Sequence, residues 1–462
     1  MSGWIHQHFR VGVLSLTSLI LACAGGGCGH SSGPRAERLT FFFTAQTHGR
    51  LTPCGCFTGQ YGGITRLKSA LQEDPSSRLG LDVGDALEGA EDYHLLKYRQ
   101  VVQAYSTMNY VALNVGHREA SLSATALRQL AKDSPVPLLS ANLLDRATGR
   151  PLLSGWTLLE REGRRIAIIG VLDPKGLEET LGQGLTVEPM ESCLSRLLPQ
   201  LKGTADVLVL LAFTDEAGLT ALARQFYEFR VILGGKVSQP AQDLLSENQS
   251  LIYYTANESK SFGSLELVFD SQGHASAGRH SITLLHDRIP ENRDVLALAA
   301  TYRKQVRAAK LAIDDPAYLQ ANQVPGARTS IAYVGTESCL PCHASAVNAW
   351  QKSGHARAFE TLVQRDADAD PSCIACHTIG FGKHSGYQRA FAGAKLIHVG
   401  CESCHGPGGT HVAERVIHAP PTFHFRPLGA GDCQTCHHGE FSRPFDWDSF
   451  WPTIKHGKET PL

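Results

Sequence analysis

One pattern, Cys339-Leu-Pro-Cys342-His343, occurs four times near the end of this 462-residue chain. The other copies are Cys373-Ile-Ala-Cys376-His377, Cys401-Glu-Ser-Cys404-His405 and Cys433-Gln-Thr-Cys436-His437. C-x-x-C-H is the attachment motif of a c-type haem. Two cysteines three residues apart lie on one side of a short helical turn, where both sulfurs can bond to the haem vinyl groups. The adjacent histidine then ligates the iron from the proximal side. The four motifs therefore predict four covalent c-type haems.

Zinc ribbons and thioredoxin-type redox pairs also use C-x-x-C, but neither requires a histidine after every second cysteine. The distribution of histidine favours haem as well. Twelve of the 21 histidines lie after position 340, and a low-spin haem iron needs a second axial ligand.

The haem region, residues 331–462, is short for a domain that carries four haem motifs. The intervals between the motifs hold 29, 23 and 27 residues, which is too little chain for a large side-chain core. We therefore expect a mainly α domain with little regular structure, in which the porphyrins supply much of the core. Neighbouring haems must lie close together and exchange electrons fast.

Flanking segments carry a family resemblance. They are Ser353-Gly-His355-Ala356, Asp370-Pro-Ser-Cys373, Thr378-Ile-Gly380, Gly406-Pro407-Gly408 and Phe450-Trp451-Pro-Thr-Ile454-Lys-His456-Gly457. With them, residues 335–457 resemble the tetrahaem cytochrome c family of ammonia-oxidising bacteria. The resemblance implies that His from other segments are the distal ligands and that one haem can remain five-coordinate.

The resemblance also indicates which histidines are distal ligands. His355, His411 and His456 stand in matching contexts. The ligand of a fourth iron stays open among five histidines, of which we favour the first: His398, His418, His424, His384 and His438.

The chain before residue 290 alternates apolar β-type runs with helical patterns, which predicts an α/β domain with a substantial sheet. The predicted strands are Leu39–Ala45, Leu79–Val83, Tyr110–Val115, Pro137–Leu143, Arg165–Val171, Val207–Phe213, Val231–Leu233, Ile252–Thr255, Leu265–Phe269 and Ser281–Leu285. From Ile252 on the strands follow one another without helices, which suggests antiparallel additions.

Five turns in this domain occur in a recognisable order. They are Thr44-Ala-Gln46-Thr-His48-Gly49, Asp82-Val-Gly84-Asp85, Asn114-Val-Gly116-His117-Arg118-Glu119, Leu210-Leu-Ala-Phe213 and Gly234-Gly235-Lys236-Val237-Ser238. Residues 37–290 thereby resemble the calcineurin-like metallophosphoesterases of the 5′-nucleotidase type. That family is a layered α/β sandwich, and its turns hold two metal ions that bind phosphate and activate water.

The metal ligands that the resemblance implies are mostly replaced. His48 and Asp85 keep ligand identities, and His117 could bind a metal in a different way. The other ligand positions carry non-ligands, namely Gln46, Phe213 or Ala212, Lys236 and Ser238, and Arg118 stands in place of the catalytic histidine. A lysine in such a site takes the place of the positive charge of a metal ion. We therefore expect a degenerate metal site that does not hydrolyse phosphoesters, and we predict no divalent metal there.

Cys54 and Cys56 lie shortly after the His48 turn, separated by one glycine. In an exported protein such a pair can be redox-active, can bind a soft metal, or can form a tight structural disulfide. The sequence leaves these alternatives open.

Residues 1–28 have the character of an export signal. Arg10 is followed by an apolar run from Val11 to Ala22 and then by small residues. Cleavage before Cys23 would give a lipoprotein, which we favour, whereas Ala22-Cys23-Ala24 also suits ordinary signal peptidase. Residues 291–330 are expected to be a helical linker.

These observations favour an exported tetrahaem electron carrier that is lipid-anchored in the periplasm or cell envelope and serves protein donors and acceptors. A net charge of −1 gives no case for nucleic acid binding. Two alternatives remain. One is a redox enzyme acting on a small nitrogen or sulfur compound at an open haem or at Cys54 and Cys56, and the other is a metal-dependent nucleotidase.

Overall fold

A computed structural model describes residues 37–53, 60–72, 78–256, 258–321, 332–389, 394–422, 425–438 and 444–457. The predicted signal segment, residues 1–28, lies outside these ranges. Among the described residues, none of the helices is long and apolar enough to cross a membrane.

Among the described residues, the strands all lie in the first part of the chain. In chain order they are β1 (Arg38–Thr44), β2 (Arg78–Asp82), β3 (Tyr110–Asn114), β4 (Leu138–Leu139), β5 (Leu143–Asp145), β6 (Trp156–Arg161), β7 (Arg164–Leu172), β8 (Leu185–Val187), β9 (Val207–Phe213), β10 (Val231–Gly234), β11 (Leu245–Glu247), β12 (Ser250–Tyr254), β13 (Ser261–Phe269) and β14 (Ala275–Leu284).

These strands form two six-stranded sheets and one small two-stranded sheet. The first sheet has the order β14-β13-β1-β2-β3-β4, and the second has the order β11-β12-β10-β9-β7-β6. The central strands of both sheets are parallel to their neighbours, whereas β13, β14, β6 and β11 are antiparallel additions. Strands β5 and β8 pair separately.

Helices cover the outer faces of both sheets. They are α1 (Ile64–Gln72), α2 (Asp92–Ser106), α3 (His117–Ala120), α4 (Ala124–Asp133), α5 (Met190–Leu201), α6 (Glu216–Gln225), α7 (Arg293–Ala308) and α8 (Pro316–Ala321).

The alternation of β1 shows how the layers are built. Phe41 and Phe43 are buried between the two sheets, where they belong to one cluster with Val209 of the second sheet. Phe42 points to the other face and packs in the cluster that contains Tyr98 of α2. Since successive side chains of a strand point to opposite faces, one run of three phenylalanines serves two cores. Each such buried side chain contributes about 1.5–3 kcal/mol.

The α/β sandwich was predicted, but three details differ. The run Pro137–Leu143 is not one strand, because its ends pair with different partners as β4 and β5. Strand β12 is parallel to β10, although we expected the strands from Ile252 on to be antiparallel additions. Strands β6, β8 and β11 were not predicted; β6 is a half-exposed edge strand that ends in Glu160 and Arg161.

The second domain consists of short helices. They are α9 (Ala344–Lys352), α10 (Ala358–Val363), α11 (Pro371–His377), α12 (Cys401–His405), α13 (Gly409–Val416), α14 (Ala430–Gln434) and α15 (Trp447–Phe450). Its buried apolar cluster is small and centres on Leu362, Ile374 and Tyr387. This is the sparse helical domain that the sequence predicted.

The two domains are in contact through α7, which packs against α2. The Arg389 guanidinium, only 10% exposed, lies 3.1 Å from the Asp314 carboxylate and donates to the carbonyl of Val306 at the end of α7. Arg307 pairs with Asp366 and Asp368 at 2.7 and 2.8 Å. Much of the predicted linker is thus helix α7, while residues 322–331 lie outside the described ranges.

Candidate functional site

The turns singled out in the first domain meet at one edge of the sandwich. They lie at the carboxyl ends of β1, β2, β3, β9 and β10, which is where open α/β sheets bind their ligands. Asp173, directly after β7, lies at the same edge. We call this site the pocket of the first domain and define it by His48, Asp85, His117, Asp173 and Lys236.

The backbone at the mouth of the pocket is held in an unusual conformation. Gln46, His48 and Asp85 have φ values of 50°, 47° and 59°, a region that non-glycine residues seldom adopt. Backbone hydrogen bonds fix it, since Gln46 N donates to Gly84 O and His48 N donates to Asp85 O. Such strain is commonly retained at functional sites.

His48 and Asp85 are the two retained ligand identities, and the structure brings them together. His48 Nε2 lies 3.8 Å from Asp85 Oδ2, and His48 Nδ1 lies 3.9 Å from Glu258. The other Asp85 oxygen accepts a hydrogen bond from Arg118 N at 2.8 Å. Arg118 therefore contributes backbone, not an imidazole, to this side of the pocket.

The side chain of Glu119 stabilises the neighbouring turns by hydrogen bonds. Its carboxylate accepts hydrogen bonds from the backbone N–H groups of Asp85, Leu87 and Gly116 at 2.7–3.0 Å. Burial, together with the Asp85 charge, raises the pKa of Glu119 to about 8. The sequence motif identified this residue only as part of a block and did not reveal its supporting role.

The opposite side of the pocket is occupied by an internal ion pair. Lys236 Nζ lies 3.6 Å from Asp173 Oδ2 and donates to the Lys175 carbonyl at 2.6 Å. His117 Nε2 lies 2.8 Å from the Asp173 carbonyl oxygen, so the ring donates there. Burial, assisted by Lys236, lowers the pKa of His117. Asp173 was missed in the sequence, although its place directly after a buried strand was a usable signal.

This donor set does not fit a two-metal centre. The Nε2 atom of His117 is used in a hydrogen bond to the Asp173 carbonyl. The Lys236 ammonium is paired with the Asp173 carboxylate. Among the residues that the structure describes, no group of three or more His, Cys, Asp or Glu side chains is arranged to hold a metal ion. Cys54 and Cys56 lie outside the described ranges, so their chemistry stays a prediction.

Each haem motif of the second domain is on a tight helical turn. Helices α11 and α12 end at His377 and His405. In the first and fourth motifs, His343 N and His437 N donate to the carbonyls of Cys339 and Cys433 at 2.9 and 2.8 Å. This geometry sets both sulfurs of a motif on one side of the turn, as thioether attachment requires.

Three proximal histidines lie opposite the three histidines chosen for distal ligation. The ring centres are 6.3 Å apart for His343 and His411, 6.0 Å for His437 and His355, and 6.0 Å for His405 and His456.

These separations fit an iron atom between the rings. A metal–imidazole bond is about 2.0–2.1 Å long, and an imidazole nitrogen lies about 1.1 Å from its ring centre given C–N bonds of about 1.33 Å. Two imidazoles on opposite sides of one iron are thus about 6 Å apart. The residues present therefore fit bis-histidine haems at three positions.

The second motif differs from the other three. His377 Nδ1 lies 2.6 Å from the Ala358 carbonyl oxygen, which leaves Nε2 for the iron. In the part of the chain that the structure describes, no second histidine ring is paired with His377.

His398, our favoured ligand for the fourth iron, is not on the Nε2 side of His377. Its Nδ1 accepts a hydrogen bond from Phe359 N, whose peptide unit also supplies the Ala358 carbonyl bound by His377. The C=O and N–H of one peptide point in opposite directions, so His398 lies behind His377. The structure gives no geometric support for His398 as a ligand of the iron held by His377, so ligation by His398 stays a prediction. His424 lies outside the described ranges.

The motifs are also grouped in pairs. The thiol of Cys339 contacts that of Cys401, and the thiol of Cys376 contacts that of Cys436. The first motif is therefore next to the third and the second next to the fourth. Haems attached at adjacent motifs would be neighbours, an arrangement that would suit electron exchange.

Fold and site together define a c-type cytochrome domain joined to an α/β sandwich. The family model described as cytochrome c554 and c-prime matches residues 338–406. Cytochrome c-554 of Nitrosomonas europaea is 35% identical over 91 residues, which make up 16% of this chain and 39% of that protein. The C-terminal domain is accordingly of the cytochrome c554 type.

The first domain has its own relatives. The 5′-nucleotidase of Vibrio vulnificus is 26% identical over 254 residues, covering 49% of this chain and 45% of that protein. The crystal structure of a 5′-nucleotidase precursor from Thermus thermophilus shares the fold with a TM-score of 0.52 and 22% identity, over 59% of each chain. The chain spans at most about half the length of the curated relatives it matches. Its N-terminal part is a calcineurin-like metallophosphoesterase fold of the 5′-nucleotidase type, fused to the cytochrome domain.

Proposed function

We propose that this protein is an exported tetrahaem c-type cytochrome that transfers electrons. The observation that carries the proposal is the set of three histidine pairs with ring centres 6.0–6.3 Å apart. A histidine on each side closes an iron to substrates and suits electron transfer.

The chain's own residues have distinct tasks in this proposal. The two cysteines of each motif would bind the haem covalently, and the paired imidazoles would be the two axial ligands of its iron. Each haem, when bound, supplies a one-electron couple. The hydrogen bond between His377 Nδ1 and Ala358 O fixes the tautomer and orientation of that ring. The paired arrangement of motifs gives electrons short routes between neighbours.

The first domain has a non-hydrolytic role in this proposal, either in docking or in thiol redox chemistry at Cys54 and Cys56. Support comes from Lys236 and His117, whose polar groups are engaged by Asp173 within the protein. Export to the periplasm or cell envelope, a lipid anchor at Cys23 and protein donors and acceptors complete the proposal. These rest on the signal-like segment and on the chemistry of c-type haem attachment.

A second function is favoured by the second motif. His377 has no histidine ring opposite it among the described residues, so its iron has room for an exogenous ligand. The protein would then be a redox enzyme that acts on a small nitrogen or sulfur compound. Binding of cyanide or nitric oxide to one haem of four would support this function.

The experiment that tests the main proposal is a haem count combined with a redox titration. Mass spectrometry and the pyridine haemochrome assay should give four covalent haems per chain, and all four should be reduced and reoxidised reversibly. A parallel assay with added Mn²⁺ or Zn²⁺ should give no hydrolysis of AMP above a blank. Fewer than four haems, or metal-dependent turnover, would overturn the tetrahaem and non-hydrolytic parts respectively.

A further inference from the structure

A buried charge pair lies where the two domains meet, outside the pocket and the haem motifs. Lys97 of α2 and Glu88 of the preceding loop form an ion pair with Nζ and Oε2 2.6 Å apart, and their side chains are only 11% and 12% exposed. The Lys97 ammonium also lies 5.3 Å from the centre of the Tyr302 ring. Glu88 and the neighbouring Asp370 raise the pKa of Lys97 against the effect of burial, so the ammonium stays charged.

The pair reaches the second haem-attachment helix. Lys97 Nζ donates to Ser372 Oγ at 3.3 Å, and Ser372 directly precedes Cys373. The Asp370 carboxylate caps the same helix by accepting from Ser372 N at 3.0 Å. A side chain of the first domain therefore holds the first turn of α11, the helix that carries Cys373, Cys376 and His377.

The same pair also reaches the pocket of the first domain. Gly49 has a φ of +70°, and a Cβ on it would lie 2.9 Å from Lys97 Cδ and 3.1 Å from Glu88 Oε2. The turn that carries His48 is thus packed directly on the pair. On the other side, the Arg118 guanidinium donates to the Glu88 carbonyl.

The charge of Lys97 gives its contact with α11 an electrostatic effect on a nearby redox centre. A charge in the protein interior acts through a low effective dielectric and is screened little by salt. Reduction of a haem iron adds one electron, so a fixed ammonium near the haem edge favours the reduced form. Lys97 contacts α11 through Ser372, and the carboxylates of Glu88 and Asp370 lie near the same ammonium. With both carboxylates in place, loss of the Lys97 charge alone makes the surroundings of α11 more negative and disfavours the reduced iron.

We propose that Lys97 is a positioning residue through which the first domain orients α11 and raises the reduction potential of the iron held by His377. This inference rests on the proposed electron-transfer function. It gives the first domain a definite task, because the domain would tune one of four haems by direct contact.

The test is a spectroelectrochemical titration of the full-length holoprotein. In Lys97→Met, one of the four couples should shift to lower potential by an amount on the order of a tenfold change in its oxidised-to-reduced ratio, which is about 59 mV for one electron. Lys97→Arg keeps the charge and should restore the original potential. Lys68→Met is the matched control, because Lys68 is 10% exposed and pairs with Asp294 of α7 at 2.8 Å. The four couples of this variant should not move.

Glu88→Gln provides a test of opposite sign, since it leaves Lys97 in place and removes the counter-charge. The same single couple should then move to higher potential, and it should do so even if Lys97→Met fails to fold. Four normal couples that are unmoved in both variants, or that all shift together, would overturn this inference and leave electron transfer intact. A wild-type protein without reversible couples would overturn the proposed function itself.

Discussion

At the scale of single residues, the haem domain depends on imidazole rings supplied from distant parts of the chain. His411 lies on α13 opposite His343, and the pair is completed only when those segments cross in space. The attachment cysteines and proximal histidines follow from a local motif. The pairing of a given distal ring with a given iron does not, because no sequence spacing encodes which segments cross.

Removal of one distal ring should open one iron. In His411→Ala, we expect one low-spin ferric signal to become high-spin, because the iron held by His343 loses its second imidazole. Electron paramagnetic resonance of the oxidised protein measures this change. His274→Ala, at an exposed position of the first domain, is the control and should keep every signal. An unchanged spectrum in His411→Ala would show that His411 is not a ligand.

Asp82 gives the first domain a pH dependence. Burial raises the pKa of Asp82 to about 7 from 3.8, despite hydrogen bonds from Thr44, Gly84 and Tyr105 that lower it. The folded state therefore binds this proton more tightly than the unfolded state does. The resulting stability is present below about pH 4 and is lost as the pH rises to about 7.

Asp82→Asn should remove that dependence. The free energy of unfolding of the wild type, relative to that of the variant, should fall by up to about 4 kcal/mol between pH 4 and pH 7. Denaturant titrations of both proteins across this range provide the measurement. Parallel stability profiles would contradict the assignment of the dependence to this carboxyl group.

At the scale of elements, α7 joins the two domains by packing on α2 and receiving side chains from the haem domain. The sequence predicted a helical linker here. It could not predict the partners, since Arg389 lies far along the chain and binds the carbonyl of Val306. Likewise, β4 and β5 were predicted as one strand because local apolarity does not show where pairing changes partner.

Arg389 and Arg307 should contribute unequally to the docking of the haem domain on α7. Arg389→Gln should weaken the docking of the haem domain on α7 by about 3 kcal/mol, because a buried charge pair loses one partner. Arg307→Gln should cost less than about 1 kcal/mol, since Arg307 is 46% exposed. Hydrogen exchange of the α7 amides would report both effects. Equal protection in the two variants would contradict this ranking.

At the scale of the whole molecule, a hydrolase-type fold carries a cytochrome domain. The order of the sheet edges and turns was predictable from the sequence, because the blocks after β1, β2, β3 and β10 survive even where their metal ligands do not. The way Lys236 and Asp173 fill the pocket was not predictable, since Asp173 belongs to none of those blocks.

Removal of divalent metals should leave the protein unaffected. Because Lys236 supplies fixed positive charge in the pocket, incubation with EDTA should change neither the melting temperature of the first domain nor the haem potentials. Differential scanning calorimetry with and without EDTA measures the first quantity. A marked fall in melting temperature that added Mn²⁺ or Zn²⁺ reverses would contradict this expectation.

The most direct test of the central claim is electron paramagnetic resonance of the fully oxidised holoprotein, with the spins counted against a chemical haem determination. We expect four haems per chain, with three low-spin irons from the three histidine pairs and one high-spin iron at His377. Fewer than three low-spin irons would contradict the histidine pairing and, with it, the electron-carrier function proposed here.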